Sequence, residues 1–127
     1  MKMKKVISTK NAPAAIGPYS QGTVHNNTLY ISGQLPIDPA TGKIVEGSIT
    51  NQTNQALENL RAIVEEAGTT LDNMLKVTIL LTSMADFQEV NTAYSNYFIN
   101  NPPARICYQV SALPLGAQVE IDGVCAC

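Results

Sequence analysis

The chain has one histidine, His25, and only two arginines, Arg61 and Arg105, in 127 residues. His25 is flanked by Asn26 and Asn27, a pair that reads as a hairpin tip, so a Ser-His-Asp relay has nowhere to form. Neither a GxxxxGK[ST] stretch nor a GxGxxG stretch occurs, and a phosphate-cradling loop leaves no trace in the sequence. Charge is also sparse and mixed: eight basic residues against ten acidic ones leave a net charge of -2. Lys2, Lys4 and Lys5 form the only basic cluster, which reads as a solvated chain end and not as a nucleic-acid stripe. No apolar run approaches the roughly 20 residues of a membrane span, and no signal-peptide core is present. The expectation is a cytoplasmic protein with neither membrane nor nucleic acid among its partners.

The three cysteines, Cys107, Cys125 and Cys127, are an odd set within apolar, strand-like stretches. Cys125 and Cys127 alternate onto one face, but zinc wants about four N or S ligands and the sole histidine is remote. Both therefore read as small buried hydrophobes. No metal and no cofactor need be invoked.

The residues present outline one domain, residues 1–127. Lys4–Ser8 reads as a short strand, followed by a hairpin of Gly22–His25 and Thr28–Gly33 around the Asn-Asn tip. Asp38-Pro39-Ala40-Thr41-Gly42 reads as a turn before a brief extended piece at 43–45. From Thr50 to Ala67, the residues Ala56, Leu57, Leu60, Ile63, Val64 and Ala67 recur at helical spacing, with Gly68 at the C-cap. Arg61 flanks this stripe and reads as a surface residue. Lys76–Thr82 suits a buried central strand. Ser83 can cap a second helix carrying Phe87, Val90, Asn91, Tyr94, Tyr97 and Phe98 inward, stopped by Pro102-Pro103. Strands at Arg105–Ser111 and Val119–Ala126 complete a β-β-β-α-β-α-β-β order. The fold class is α/β (α+β): a mixed sheet with two helices on one face.

The other face of that sheet should be naked, yet Tyr30, Tyr108, Val110, Val124 and Ala126 alternate onto it. An exposed apolar face of this kind marks an interface, here between copies of the chain. Functional residues at strand ends would then lie in clefts between subunits.

Arg105 stands at a strand mouth after Pro102-Pro103. A guanidinium there can grip a carboxylate with two parallel hydrogen bonds. Glu120, on Val119-Glu120-Ile121, can hold and partly deprotonate a water. Together they could bind a small organic acid and hydrolyse it. Taken alone, an arginine can also be a surface-edge residue, and a strand glutamate a salt-bridge partner.

Several motifs resemble the RidA family, also called YjgF. They are Gly17-Pro18-Tyr19-Ser20-Gln21, Ile31-Ser32-Gly33-Gln34-Leu35-Pro36, Gln55-Ala56-Leu57-Glu58-Asn59-Leu60, Pro103-Ala104-Arg105 and Leu113-Pro114-Leu115-Gly116. The resemblance runs nearly the whole chain. It implies a chorismate-mutase-like fold, a homotrimer, and three inter-subunit sites. The implied activity is hydrolysis of 2-imino acids such as 2-iminobutanoate and 2-iminopropanoate to 2-oxo acids and ammonia. The alternative is a non-catalytic module of the same fold that captures 2-oxo acids. By the same resemblance, Arg105 and Glu120 are catalytic. Tyr19 closes over the ligand, Ser32 and Gly33 line the cleft, Asn91 lies near it, and Ile106 and Cys107 offer backbone contacts beside Arg105. On the residues alone Tyr19 can equally be core packing, Ser32 and Asn91 can be structural, and Gly33 can relieve a close backbone approach. The family commonly has a small hydroxyl residue where this chain has Ile106. Asp122 and Gly123 stand where glutamate and alanine are frequent.

Overall fold

The computed structural model describes residues 3–127, so Lys2 of the basic cluster lies outside the described residues. Strand β1 (Lys5–Ile7) leads to a hairpin of β2 (Gly22–His25) and β3 (Thr28–Gln34). Asn26 and Asn27 turn it with φ of 49° and 61°, the left-handed pair that matches the twist of a two-residue hairpin. A two-stranded ribbon follows, β4 (Ile37–Asp38) with β5 (Lys43–Ile44), and then helix α1 (Ile49–Glu66). After α1 come β6 (Met74–Leu81), α2 (Phe87–Ser95), β7 (Ala104–Gln109) and β8 (Val119–Ala126). The expected element order holds, with the ribbon and short 3-10 turns added between elements.

The main sheet has six strands in the order β1-β2-β3-β8-β6-β7. Only β6 and β7 run parallel, so the sheet is mixed. The ends of α1 follow from its sequence. Ser48 Oγ accepts from the Asn51 N–H at 3.2 Å, and Gly68 takes φ 86°, letting the Thr69 N–H reach back to the Val64 carbonyl. Ser83 caps as expected, accepting from the Ala85 N–H. It does so for a 3-10 turn, Met84–Asp86, which delays the α-helix until Phe87.

One core lies between the helices and the sheet. Leu57, Leu60, Ile63 and Val64 of α1 are buried against Val77, Ile79 and Leu81 of β6 and Val119 and Ile121 of β8. Val90, Tyr94 and Phe98 complete it from α2 and the residues after it. The strand expected to be central, β6, lies second from the sheet's edge between β8 and β7, and only its alternate residues are buried, under the helices. Lys76 is exposed, and Thr78 and Leu80 are half-buried on the naked face. Across that face Val6, Tyr30, Ile106 and Tyr108 remain 49–55% exposed. Cys125 is buried as expected. Cys127 is exposed, because it lies one residue past the last strand where no helix covers the chain.

Candidate active site

Strand parity decides where the two candidate catalytic groups go. Leu80 of β6 pairs with Glu120 on one side and Tyr108 on the other, so all three share the naked face. Val77 pairs with Gly123 and with Arg105, and Val77 is buried under the helices. Arg105 therefore projects toward α2 and Glu120 away from it, two strands apart. Within one chain they do not share a cavity, and the expected convergence is absent from a single subunit.

The structure instead holds two candidate half-sites. The first is built around a bulge in β3. Ile31 pairs with Gly123 and Gln34 with Ile121, so the β3 segment containing Ser32 and Gly33 is longer than the facing β8 segment. The bulge reaims Gly33 beneath Glu120. A Cβ at Gly33 would lie 2.6 Å from Glu120 Oε2 and 2.9 Å from its Cδ, and only glycine leaves this room. Ser32 is pinned by its N–H to the Gln21 carbonyl at 2.9 Å and by its hydroxyl to the Ser20 carbonyl at 2.5 Å. Ser32 Oγ is thus committed to the backbone. Tyr19, 52% exposed, joins Ser32, Gly33 and Glu120 around a cleft of about 530 Å³.

Two buried amides hold this cleft's walls. Gln21 Nε2 donates to the carbonyls of Thr9 (3.0 Å), Ala12 (3.3 Å) and Pro13 (2.8 Å), and its Oε1 accepts from the Thr9 N–H. Asn59, fully buried on α1, donates to the Leu35 and Ile37 carbonyls at 3.0 and 2.9 Å. Burial and the neighbouring Asp122 push the Glu120 carboxyl above the usual carboxylate range. A carboxylate raised in this way is a better base than an exposed one.

The second half-site lies at the β7 edge. Arg105 Nη1 donates to Asn91 Oδ1 at 2.8 Å, and the guanidinium carbon stands 4.8 Å from the Tyr94 ring centre and 5.8 Å from that of Phe87. Among the described residues no carboxylate lies within ion-pair distance of Arg105; Arg61, by contrast, pairs with Glu58 at 3.1 Å. A guanidinium held by a neutral amide and two aromatic faces keeps its charge for an incoming anion. Asn91, Tyr94, Pro102, Pro103 and Arg105 line a shallow hollow there. Cys107 is half-buried on the same face; burial raises its pKa more than Arg105 lowers it, so the thiol stays protonated. Ile106 turns to the naked face, 49% exposed.

The expected site residues therefore fall into two groups, Tyr19, Ser32, Gly33 and Glu120 in one and Asn91, Arg105 and Cys107 in the other, while the Ile106 side chain joins neither. Reading the sequence missed Tyr94 and Phe87 as the seat of Arg105, because aromatics at helical spacing read as core. Tyr94 does serve the core also. Its hydroxyl is buried without a hydrogen-bond partner among the described residues, and burial holds its pKa at about 12 despite Arg105.

A family model described as Endoribonuclease L-PSP matches residues 9–127. The 2-iminobutanoate/2-iminopropanoate deaminase of Mus musculus is 49% identical over 122 residues, covering 96% of this chain and 90% of the mouse protein. Among solved structures, a Rid-family protein of unknown function from Yersinia pestis superposes with a TM-score of 0.94. It is 49% identical and covers 98% of this chain and 100% of its own. The E. coli protein TdcF, solved with bound serine, gives a TM-score of 0.92 at 36% identity, covering 97% of this chain and 98% of its own.

Proposed function

The chain belongs to the YjgF/RidA family, and from that membership we propose that it hydrolyses 2-imino acids to 2-oxo acids and ammonia at sites assembled between copies of a homotrimer. The observation that carries the reading is the split itself. An anion-seeking fork sits on the helix side of the sheet and a raised carboxylate on its naked face, which also carries Val6, Tyr30, Ile106 and Tyr108. Packing such faces together can bring the Glu120 cleft of one copy to the Arg105 edge of the next.

In that site Arg105 binds the substrate carboxylate with two hydrogen bonds, which fixes the adjacent imine carbon. Glu120, ionised, takes a proton from water as its oxygen adds to that carbon. With the imine nitrogen already protonated, the adduct is a neutral carbinolamine. Glu120 returns the water proton to its nitrogen, then takes the hydroxyl proton as the C–N bond breaks and passes it to solvent as ammonia leaves and the C=O forms. One water is consumed and nothing is oxidised. TdcF, solved with serine, supports a carboxylate-bearing small ligand for this fold.

An endoribonuclease reading follows the description of the family model, but His25 ends β2 at the hairpin tip and lines neither half-site. The test is release of 2-oxobutanoate from 2-iminobutanoate made in situ by a threonine dehydratase. Wild type should accelerate it and Glu120→Ala should not. Equal rates for the two would remove the hydrolytic role assigned to Glu120, and no acceleration by wild type would leave a carboxylate binder without catalysis.

A further inference from the structure

Glu120 lines its cleft, and hydrolysis gives no reason for the character of the other walls. The walls are apolar: Ile16 and Tyr19 from the loop before β2, Leu35 and Ile37 after β3, and Pro114 and Leu115 from the 3-10 turn before β8. The volume, about 530 Å³, falls in the range of roughly 300–1,000 Å³ for small-molecule sites and exceeds what a short imino acid fills. Three of the wall residues stay exposed in the single subunit, Ile16 at 88%, Leu115 at 67% and Tyr19 at 52%, so the fold of one subunit gains little from their apolar surface. Leu115 also has φ 60° and ψ 20°, a left-handed conformation that bulky residues rarely adopt. Glycine or asparagine would suit that backbone better. What leucine adds there is its side chain.

We propose that Ile16 and Leu115 form the wall that receives the substrate's side chain, so that the site favours 2-imino acids with apolar side chains of three or more carbons over shorter and polar ones. The reaction named here rests on the imine-hydrolysis reading; the recognition does not, because a 2-oxo acid carries the same side chain and carboxylate. Each methylene moved from water onto such a wall gains about fourfold in affinity or kcat/KM. A polar side chain gains nothing there and leaves its own groups without partners.

Calorimetric titration with 2-oxobutanoate, 2-oxopentanoate, 2-oxohexanoate and the polar 2-oxoglutarate tests the wall directly. In parallel, kcat/KM is measured on the corresponding imines, generated by an L-amino-acid oxidase. Both series should climb about three- to fourfold per methylene, with the polar member below the longest apolar one. Leu115→Asn, which suits the left-handed backbone, and Ile16→Ser should flatten the climb. A flat or falling wild-type series, or an unaltered climb in both variants, overturns the inference. Climbing affinity without turnover of any imine would keep the wall and remove the hydrolytic reading; turnover with flat affinity would do the reverse.

Discussion

Gly33→Ala should separate activity from stability in this protein. Gly33 lacks a positive φ, so alanine meets no backbone penalty there. The obstacle is the Glu120 carboxylate, whose Oε2, Cδ and Cγ would lie 2.6, 2.9 and 3.2 Å from the new Cβ. Comfortable carbon contacts begin near 3.5 Å, so the carboxylate must retreat by about 0.5–1 Å. Because a side-chain end can swing aside, the fold loses little. Removing glycine's freedom in the unfolded chain even offsets the strain, by about 0.4–1 kcal/mol. The chemistry is less forgiving. A misplacement near 1 Å at a reacting group costs about 10²-fold, equivalent to about 2.7 kcal/mol in barrier. Thermal unfolding followed by circular dichroism should show a melting temperature at or slightly above wild type, while kcat on 2-iminobutanoate falls about a hundredfold. A variant with wild-type kcat would refute the role assigned to the glycine and, with it, the placement of the Glu120 base.

Four further outcomes follow from the same geometry. In the single subunit burial and then Asp122 raise the Glu120 pKa, so Asp122→Asn should move the acid limb of activity to lower pH; a limb unmoved in the pH–rate profile would contradict this. The folded state also holds the Glu120 proton more tightly than the unfolded chain, so that stability is present at low pH and lost as pH rises through the raised pKa. Glu120→Gln should then melt higher than wild type at pH 7 but not at pH 4. Tyr94→Leu removes the ring beneath Arg105 and should raise KM about fivefold, matching a cation–π contact of about 1 kcal/mol, while Tyr94→Phe keeps KM; a KM unchanged in both would free Arg105 from its seat. Asn59→Leu strips two part-buried carbonyls of their partners and should cost about 1–3 kcal/mol in urea unfolding, with no measurable loss contradicting the pinning role.

Much of the fold was legible because it is written in local periods. The Asn26-Asn27 tip, the Leu57-Leu60-Ile63-Val64 stripe, Gly68 and the alternation along Val119–Ala126 each name their own structure. The bulge at Ser32–Gly33 was not, because a bulge depends on how many residues the facing strand supplies. The ribbon of Ile37–Asp38 with Lys43–Ile44 is too short to show a period. Asn59 gave no sign of its task, since its acceptors lie 22 and 24 residues upstream. The candidate site residues could be named from their chemistry. Their division between two faces could not, since it depends on strands β7, β6 and β8 lying side by side in an order that no local pattern encodes.

The central claim is that a working site takes Glu120 from one copy and Arg105 from another. Mixing Arg105→Ala with Glu120→Ala in equal amounts, unfolding and refolding together, measures it. Each variant alone should be inactive. In randomly assorted rings an interface is intact with chance one half times one half, so the mixture should recover about one quarter of wild-type activity. A mixture as inactive as its components, with mixed oligomers demonstrated by mass spectrometry, would contradict a site shared between copies.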